Sequence, residues 1–417
     1  MRVIIILFCF ITLGLVSQTC GTDEYNRGLI NENLEHYNDI ENKLQQTLLK
    51  KSFKNQSVTI PVVFHILYKT QTENLHDSII VRQLEVLNRC FNLQNSDTSL
   101  LTDTLRDYKG NFNINFELAK YDPNGIPTSG ITRTHTKELA YSYYNPRIKY
   151  DSTNGKSPWD TRKYLNVWVG ELRYGLLGYS QFPGGSPSTD GIVISFRVVG
   201  NMLYNWNDEY TDFNQGKVLV HEVGHWLNLY HTWGTEECGD DLVDDTGRQR
   251  GPTFPSTNCP DTLMSYCDST IDRVFVKNYM DYCGDECMVA FTTGQVQRGL
   301  SSLWSYREEM INHFENQERI IDNIFFIYPS ITSGRISIAF YNVNIQSDYY
   351  LYITGVQGNI VKSLKINNSS PLDLNLNFLS SGVYNITITD NKQVLQTEKI
   401  VVNHQSPYGG EVLNSHQ

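Results

Sequence analysis

His221-Glu222-Val223-Gly224-His225-Trp226-Leu227-Asn228-Leu229-Tyr230-His231 decides how this chain is read. His221 and His225 stand four residues apart, so a helix projects both imidazoles from one face, where they can bind one cation. Glu222 sits beside them, placed to take a proton from a metal-activated water. His231 comes too far along to share that face if the helix ran on. The chain is therefore expected to turn near Asn228, a residue type that tolerates left-handed backbone. Three imidazole ligands leave one tetrahedral position open, which is the pattern of a catalytic rather than a structural zinc site. An ordinary amphipathic helix that happens to hold two histidines would not need the third at this offset.

Around that stretch, 417 residues are enough for two or three domains. Hydrophobic residues make up 40%, which permits a sizeable core. The net charge is -11, from 34 basic and 45 acidic residues, and this argues against a nucleic-acid partner. At the N-terminus a single Arg2 precedes a mostly apolar run from Val3 to Val16, too short to span a bilayer comfortably. It reads as a signal peptide over residues 1–18, cleaved near Ser17 or Gln18. No later apolar run is long enough for a transmembrane segment, so the protein is expected to be secreted or held at the cell surface. Of the eight cysteines, Cys238, Cys259, Cys267, Cys283 and Cys287 crowd the region after the histidine motif. In an exported chain this suggests disulfides, and with Cys90 the six candidates allow fifteen connectivities. Zinc ligation by these cysteines is the rival reading.

Periodicity places a helix over 24–51, where Leu34, Tyr37, Ile40, Leu44 and Leu48 recur at three- and four-residue steps. A basic stretch at Lys50, Lys51 and Lys54 follows. Thr59–Tyr68 reads as the first strand of a new domain, with His65 packed inside it rather than ligating. A helix is expected over Asp77–Leu93, and strands at Ile114–Leu118, Tyr164–Val169 and Gly191–Ser195. Gly175–Pro183 has strand character broken by glycines, which suits a sheet edge. Residues 232–290 show little periodicity and read as a long, functional or cross-linked loop region. A last helix spans Thr293–Phe314. Beyond about 318, short alternating strands at Gly334–Phe340, Tyr349–Thr354 and Gly382–Ile388 suggest a small β-sandwich.

The histidine motif resembles that of the metzincin metallopeptidases, and Asn278-Tyr279-Met280-Asp281-Tyr282 resembles the methionine turn of that clan. With Gly175–Pro183 and Asp190–Ile194, these segments are most similar to the pappalysin family, and within it to the bacterial secreted branch, over residues 20–315. The resemblance implies an α+β fold: a metzincin-like catalytic domain with a twisted mixed sheet and an active-site helix. It implies that His221, His225 and His231 hold zinc, that Glu222 and Tyr282 are catalytic, and that Met280 floors the site. Asn228 stands where the clan usually turns at a glycine. Cys20-Gly21-Thr22 resembles a cysteine switch, in which Cys20 would ligate zinc in a latent form; a lipid anchor at Cys20 is the rival. Gly239–Thr246 is similar to the family's calcium loop, which carries Asp241, Asp245 and Thr246 over as ligands to Ca²⁺. Asp285 and Glu286 would line a pocket for basic side chains. Ile327–Gly334, Leu379–Tyr384 and Lys399–Val402 resemble the C-terminal sorting domain of type nine secretion substrates.

The expected division is a signal peptide at 1–18, a pro-segment at 19–55, a catalytic domain at 56–316, a sorting β-sandwich at 317–403 and a tail at 404–417. The expected function is a secreted zinc endopeptidase made as a latent zymogen, acting on protein or peptide substrates and meeting the secretion machinery through its last domain. The alternative is a non-catalytic surface or adhesion protein in which the metal is a staple.

Overall fold

The computed structural model describes residues 20–404 apart from 51–56, 103–106, 127, 201–211, 255–258, 261, 316–323, 329–330, 333, 342–347, 367–371 and 391–393. The expected signal peptide, Lys51, Lys54, the 316/317 boundary and the tail beyond His404 lie outside the described residues.

The N-terminal segment forms helices α1 (Thr22–Glu32) and α2 (Leu34–Lys50), broken at Asn33 where one continuous helix was expected. At Asn33 the φ of -150° leaves the helical region. Of the expected apolar stripe, Ile40 and Leu44 are buried while Leu34 is exposed.

Strand β1 (Val58–Tyr68) is the centre of the next layer. Its nearly unbroken apolar run suits a strand buried on both faces. After helix α3 (Asp77–Phe91) come β2 (Lys109–Gly110), β3 (Ile114–Leu118), β4 (Ile131–His135), β5 (Leu165–Gly170), β6 (Gly178–Ser180) and β7 (Ile192–Ser195). The main sheet runs β3-β1-β5-β7-β6, with β4 also paired to β1. All its pairings are parallel except β6 with β7. The glycine-broken stretch is thus the antiparallel edge strand, and His65 is buried on β1 between Thr132 and Asn166.

Val167, Val169, Ile192 and Ile194 face α3 and helix α4 (Lys217–Trp226), while Trp168, Val193 and Tyr179 form a second core on the opposite face. Alternation along the strands feeds both layers. Past α4, the region read as aperiodic contains a hairpin of β8 (Thr262–Cys267) and β9 (Thr270–Phe275). Its outer residues Leu263, Met264, Tyr266 and Ile271 are exposed, which hid the two-residue alternation. Two disulfides cross-link the region, Cys238–Cys267 and Cys259–Cys287, while Cys90 and Cys283 are free and buried. This pairing displaces zinc ligation by those four cysteines.

Strand β10 (Phe291–Thr292) leads into α5 (Thr293–Tyr306), which starts at a reciprocal Thr292–Gln295 capping box. The expected single helix ends at Arg307, where α6 (Glu308–Glu315) begins. Arg307 is drawn out of helical register by its ion pair with Asp190 and by stacking 3.9 Å over Trp226.

The C-terminal strands β11 (Ile324–Tyr328), β12 (Ile331–Thr332), β13 (Arg335–Tyr341), β14 (Tyr349–Gly355), β15 (Ile360–Ile366), β16 (Leu372–Asn375), β17 (Gly382–Thr389) and β18 (Val394–Val402) make two sheets. Their orders are β11-β13-β16 and β12-β18-β17-β14-β15. Between them Ile338, Leu351, Ile386, Ile388 and Ile400 form an apolar core of their own.

Candidate metal centre

Helix α4 carries His221 and His225 one turn apart, and the chain leaves it through Asn228 at φ 72°. Asn reaches this left-handed backbone more cheaply than most residues. The turn brings His231 back, so that His225 Nε2 lies 3.0 Å from His221 Nε2 and 3.1 Å from His231 Nε2. Cys20 Sγ completes the cluster 3.6 Å from His225 Nε2. All four side chains are buried, and their donor atoms lie within 4.8 Å of one another.

These short approaches are not hydrogen bonds among the rings. His221 Nδ1 lies 2.7 Å from Tyr279 O, His225 Nδ1 2.7 Å from Leu229 O, and His231 Nδ1 2.8 Å from Asp23 Oδ2. Carbonyl and carboxylate oxygens only accept, so each Nδ1 carries the proton and each Nε2 presents a lone pair. Burial favours the same neutral state, pulling His221 down to about 3 and His225 well below its usual value. Three lone pairs and a sulfur converging on one point repel unless a cation lies between them. Tetrahedral zinc, with nitrogen at about 2.0–2.1 Å and sulfur at about 2.3 Å, would space nitrogens about 3.3 Å apart and nitrogen from sulfur about 3.6 Å. The donor set fits such an ion. Burial also pushes the Cys20 thiol well up, so a thiolate there needs a cation beside it.

Glu222 is fully buried next to the cluster. Its Oε2 accepts from Ser180 Oγ at 2.9 Å and Thr22 Oγ1 at 3.1 Å, while Oε1 has no hydrogen-bond partner among the described residues. Burial raises its carboxyl to about 7, in the range of a group that exchanges protons near neutrality. Edge strand β6 runs against α4 here: a Cβ on Gly178 would sit 2.8 Å from Glu222 Oε1. Gly224 serves the opposite side of the helix, where a side chain would run into Met280 Sδ. Met280 is wholly buried. Tyr282 places its ring 4.9 Å from His231, and its hydroxyl donates to Cys20 O at 3.4 Å.

Segment 20–26 lies along the cleft. Gly21 N donates to Gly178 O at 3.0 Å, Ser180 N to Thr22 Oγ1 at 2.9 Å, and Asn26 Nδ2 to Ser180 O at 2.8 Å. Cys20 pairs with Gly178 in the parallel sense. The sequence reading missed Thr22, Asp23 and Ser180 as members of this site. Thr22 and Asp23 adjoin Cys20, but spacing alone does not say that they reach Glu222 and His231.

The remaining site residues are scattered. Asp245 accepts from Thr292 Oγ1 at 2.6 Å and Gly294 N at 2.8 Å, so each of its oxygens also serves the start of α5. Thr246 Oγ1 donates to Asp241 Oδ1 at 2.9 Å. Asp241 Oδ2 is buried without a partner among the described residues, and burial raises this carboxyl to about 7. Asp285 is fully buried at the start of α4, with Oδ2 accepting from Gln215 N at 2.7 Å and Lys217 N at 3.2 Å; its Oδ1 has no hydrogen-bond partner among the described residues. It does not itself line the cavity walled by Leu177, Val218, His221, Tyr282 and Met288. Glu286 is exposed and is not among the residues that line that cavity.

The metallopeptidase family described as Pregnancy-associated plasma protein-A matches residues 149–303, and a secretion system C-terminal sorting domain matches 326–403. An extracellular metalloprotease of Arthroderma gypseum is 31% identical over 269 residues, covering 61% of this chain and 76% of its own. A solved structure of a Tannerella forsythia promirolysin mutant is 35% identical, with a TM-score of 0.64 over 72% of this chain and 98% of that one. Mature mirolysin of the same organism in complex with a cleaved peptide is 37% identical, with a TM-score of 0.58 over 63% and 99%. These likenesses favour the peptidase reading over a non-catalytic display protein. The chain belongs to the pappalysin family of metalloendopeptidases, and its sorting domain marks it as secreted or cell-surface.

Proposed function

We propose that this chain is a latent zinc endopeptidase whose N-terminal segment occupies its own active site. The observation that carries the reading is the convergence of Cys20 Sγ with three unprotonated Nε2 atoms. His221, His225 and His231 are the permanent ligands, and Cys20 fills the fourth position until the segment leaves. A zinc ion bound there supplies Lewis acidity, polarising a peptide carbonyl and acidifying water. Glu222 then acts as general base and acid: its unpartnered Oε1 accepts a proton and later returns it to the leaving amine. Tyr282 donates its hydroxyl to the oxygen on which charge develops. Met280 and Gly224 set the height of the helix over the floor.

Latency has three contacts. Cys20 takes the open position, Thr22 holds Glu222 Oε2, and Asp23 holds His231. The likeness to a structure titled promirolysin supports this reading. The burial of Cys20 at 4% exposure favours the switch over a lipid anchor. Once the segment leaves, the main-chain groups of Gly178 and Ser180 become available to an extended peptide. Cleavage after Lys50, Lys51 or Lys54 is the proposed activation step, and it separates a pro-segment at 19–55 from a catalytic domain at 56–316. Residues 317–403 then meet the secretion machinery.

A preference for basic side chains would rest on Asp285 and Glu286, the first of which has a buried Oδ1 without a hydrogen-bond partner among the described residues. Calcium in the 239–246 loop would be held by Asp241, Asp245 and Thr246, with the unpartnered Asp241 Oδ2 as the open donor among the described residues. The test is peptide cleavage by the processed chain with and without a chelator, followed by zinc add-back. Cleavage that survives complete metal removal sinks the proposal.

A further inference from the structure

Helix α2 of the N-terminal segment docks on α5 well away from Cys20, and one contact there has the form of a ligand site. Glu41 places both carboxylate oxygens on the Arg298 fork, with Nη1 to Oε1 and Nη2 to Oε2 each at 2.8 Å. Arg298 is 1% exposed. Its Nε donates to Asn228 O at 2.9 Å, and its guanidinium lies 5.3 Å from the Tyr230 ring centroid. Asn228 faces the same carboxylate, and its buried Nδ2 has no close hydrogen-bond partner among the described residues. The fork is therefore oriented by the turn of the histidine motif as well as by Glu41. A guanidinium plane fixed from behind, beside a buried amide that faces the same carboxylate, is a receptor for a carboxylate.

The site also connects to the cleft. Tyr230 packs 5.0 Å from Phe182, which lies 6.0 Å from the His225 ring and just past edge strand β6. A peptide paired with β6 and running past Phe182 would bring a side chain to Arg298. We infer that Arg298 and Asn228 form an acidic-side-chain subsite of the processed peptidase, which Glu41 fills while the N-terminal segment is in place. The inference rests on the zymogen reading, because the fork opens only when α2 departs.

The test uses secreted full chain processed by limited trypsin digestion and freed of its N-terminal segment by gel filtration. In the first arm, a neutral parent peptide that this enzyme cleaves receives Glu or Gln at each successive position flanking the scissile bond. One position is expected to show KM about tenfold lower with Glu than with Gln at similar kcat, the size of a charge-assisted hydrogen-bonded pair. R298Q is expected to erase that difference. Because Arg298 also holds the Asn228 carbonyl, R298Q risks the turn itself, so a second arm leaves the enzyme untouched. Synthetic peptides spanning residues 20–48, with native Glu41 or with E41Q, are compared as inhibitors of the processed wild type, and E41Q is expected to inhibit about tenfold less well. Glu and Gln that are equivalent at every position, or two peptides that inhibit equally, overturn the inference. Cleavage of the neutral parent reports the peptidase separately. An unprocessed chain that is already fully active defeats the zymogen reading instead.

Discussion

The N-terminal segment grips the rest of the protein at two places of unlike character. Around Cys20–Asn26 Tyr25 packs into an apolar cluster, but the polar contacts reach groups that the proposed chemistry needs: the open ligand position, Glu222, His231 and the edge-strand main chain. Around Ile40–Thr47 the contact is packing against α5, joined by the Glu41–Arg298 pair and the bond from Ser301 Oγ to Leu44 O. In the proposed zymogen the first grip would silence the site, and the second would set how long the segment stays. Polar groups directed at a metal site act through geometry, whereas a buried leucine acts through area removed from water.

The largest expected effect lies at the first grip's target. Glu222→Gln in the processed enzyme should lower kcat by about 10²–10⁴-fold, the range for removing a general base, with zinc content unchanged by atomic absorption. Near-normal turnover in that variant would falsify the role of Glu222. Next is Cys20→Ala in the unprocessed chain. Basal activity is expected to rise by more than the roughly 10–100-fold that an outer-shell partner contributes, because a ligand itself is lost. If the variant stays as silent as the parent, the segment blocks the cleft by bulk alone and the two grips do not differ in kind.

Leu44→Ala probes the second grip. Leu44 is fully buried, so truncation should weaken docking by about 2–5 kcal/mol. Hydrogen exchange over α2 should accelerate while Cys20 keeps the uncut chain silent. Full activity of the uncut variant would mean that the helix, not the thiolate, confers latency.

The smallest effect concerns Asp241, outside both grips. Its folded value of about 7 lies above the ordinary 3.8. Between about pH 4 and 7 the folded chain therefore keeps a proton that the unfolded chain has lost, and stability falls as pH rises through that window. In chelator, melting temperature should drop from pH 5 to 8, and Asp241→Asn should flatten the drop. Calcium should restore the parent most at pH 8. An equal pH dependence in parent and variant would remove Asp241 from the calcium proposal.

Much of the fold was legible. Val58–Tyr68, Ile114–Leu118 and Ile192–Ser195 declare themselves because buried strands carry β-branched and aromatic runs. The β8–β9 hairpin and the break at Arg307 did not, since one has an exposed apolar face and the other is set by Asp190, far away in sequence. In the site, the His221–His231 spacing speaks for itself, because helical periodicity and the turn at Asn228 are local. Asp245 and Glu286 were less legible, because acidic residues in a loop look alike whether they hold a cation, meet a helix start or face water.

The sequence by itself determined the three imidazoles, the carboxylate beside them and the turn that gathers them, since these depend on residue type and short-range geometry. Only the tertiary structure decided which cysteines pair, that Thr22 and Asp23 join Cys20 in the cleft, and that Glu41 finds Arg298. The disulfides span 29 and 28 residues and the other contacts 200 or more, and sheet topology rather than local periodicity brings such partners together.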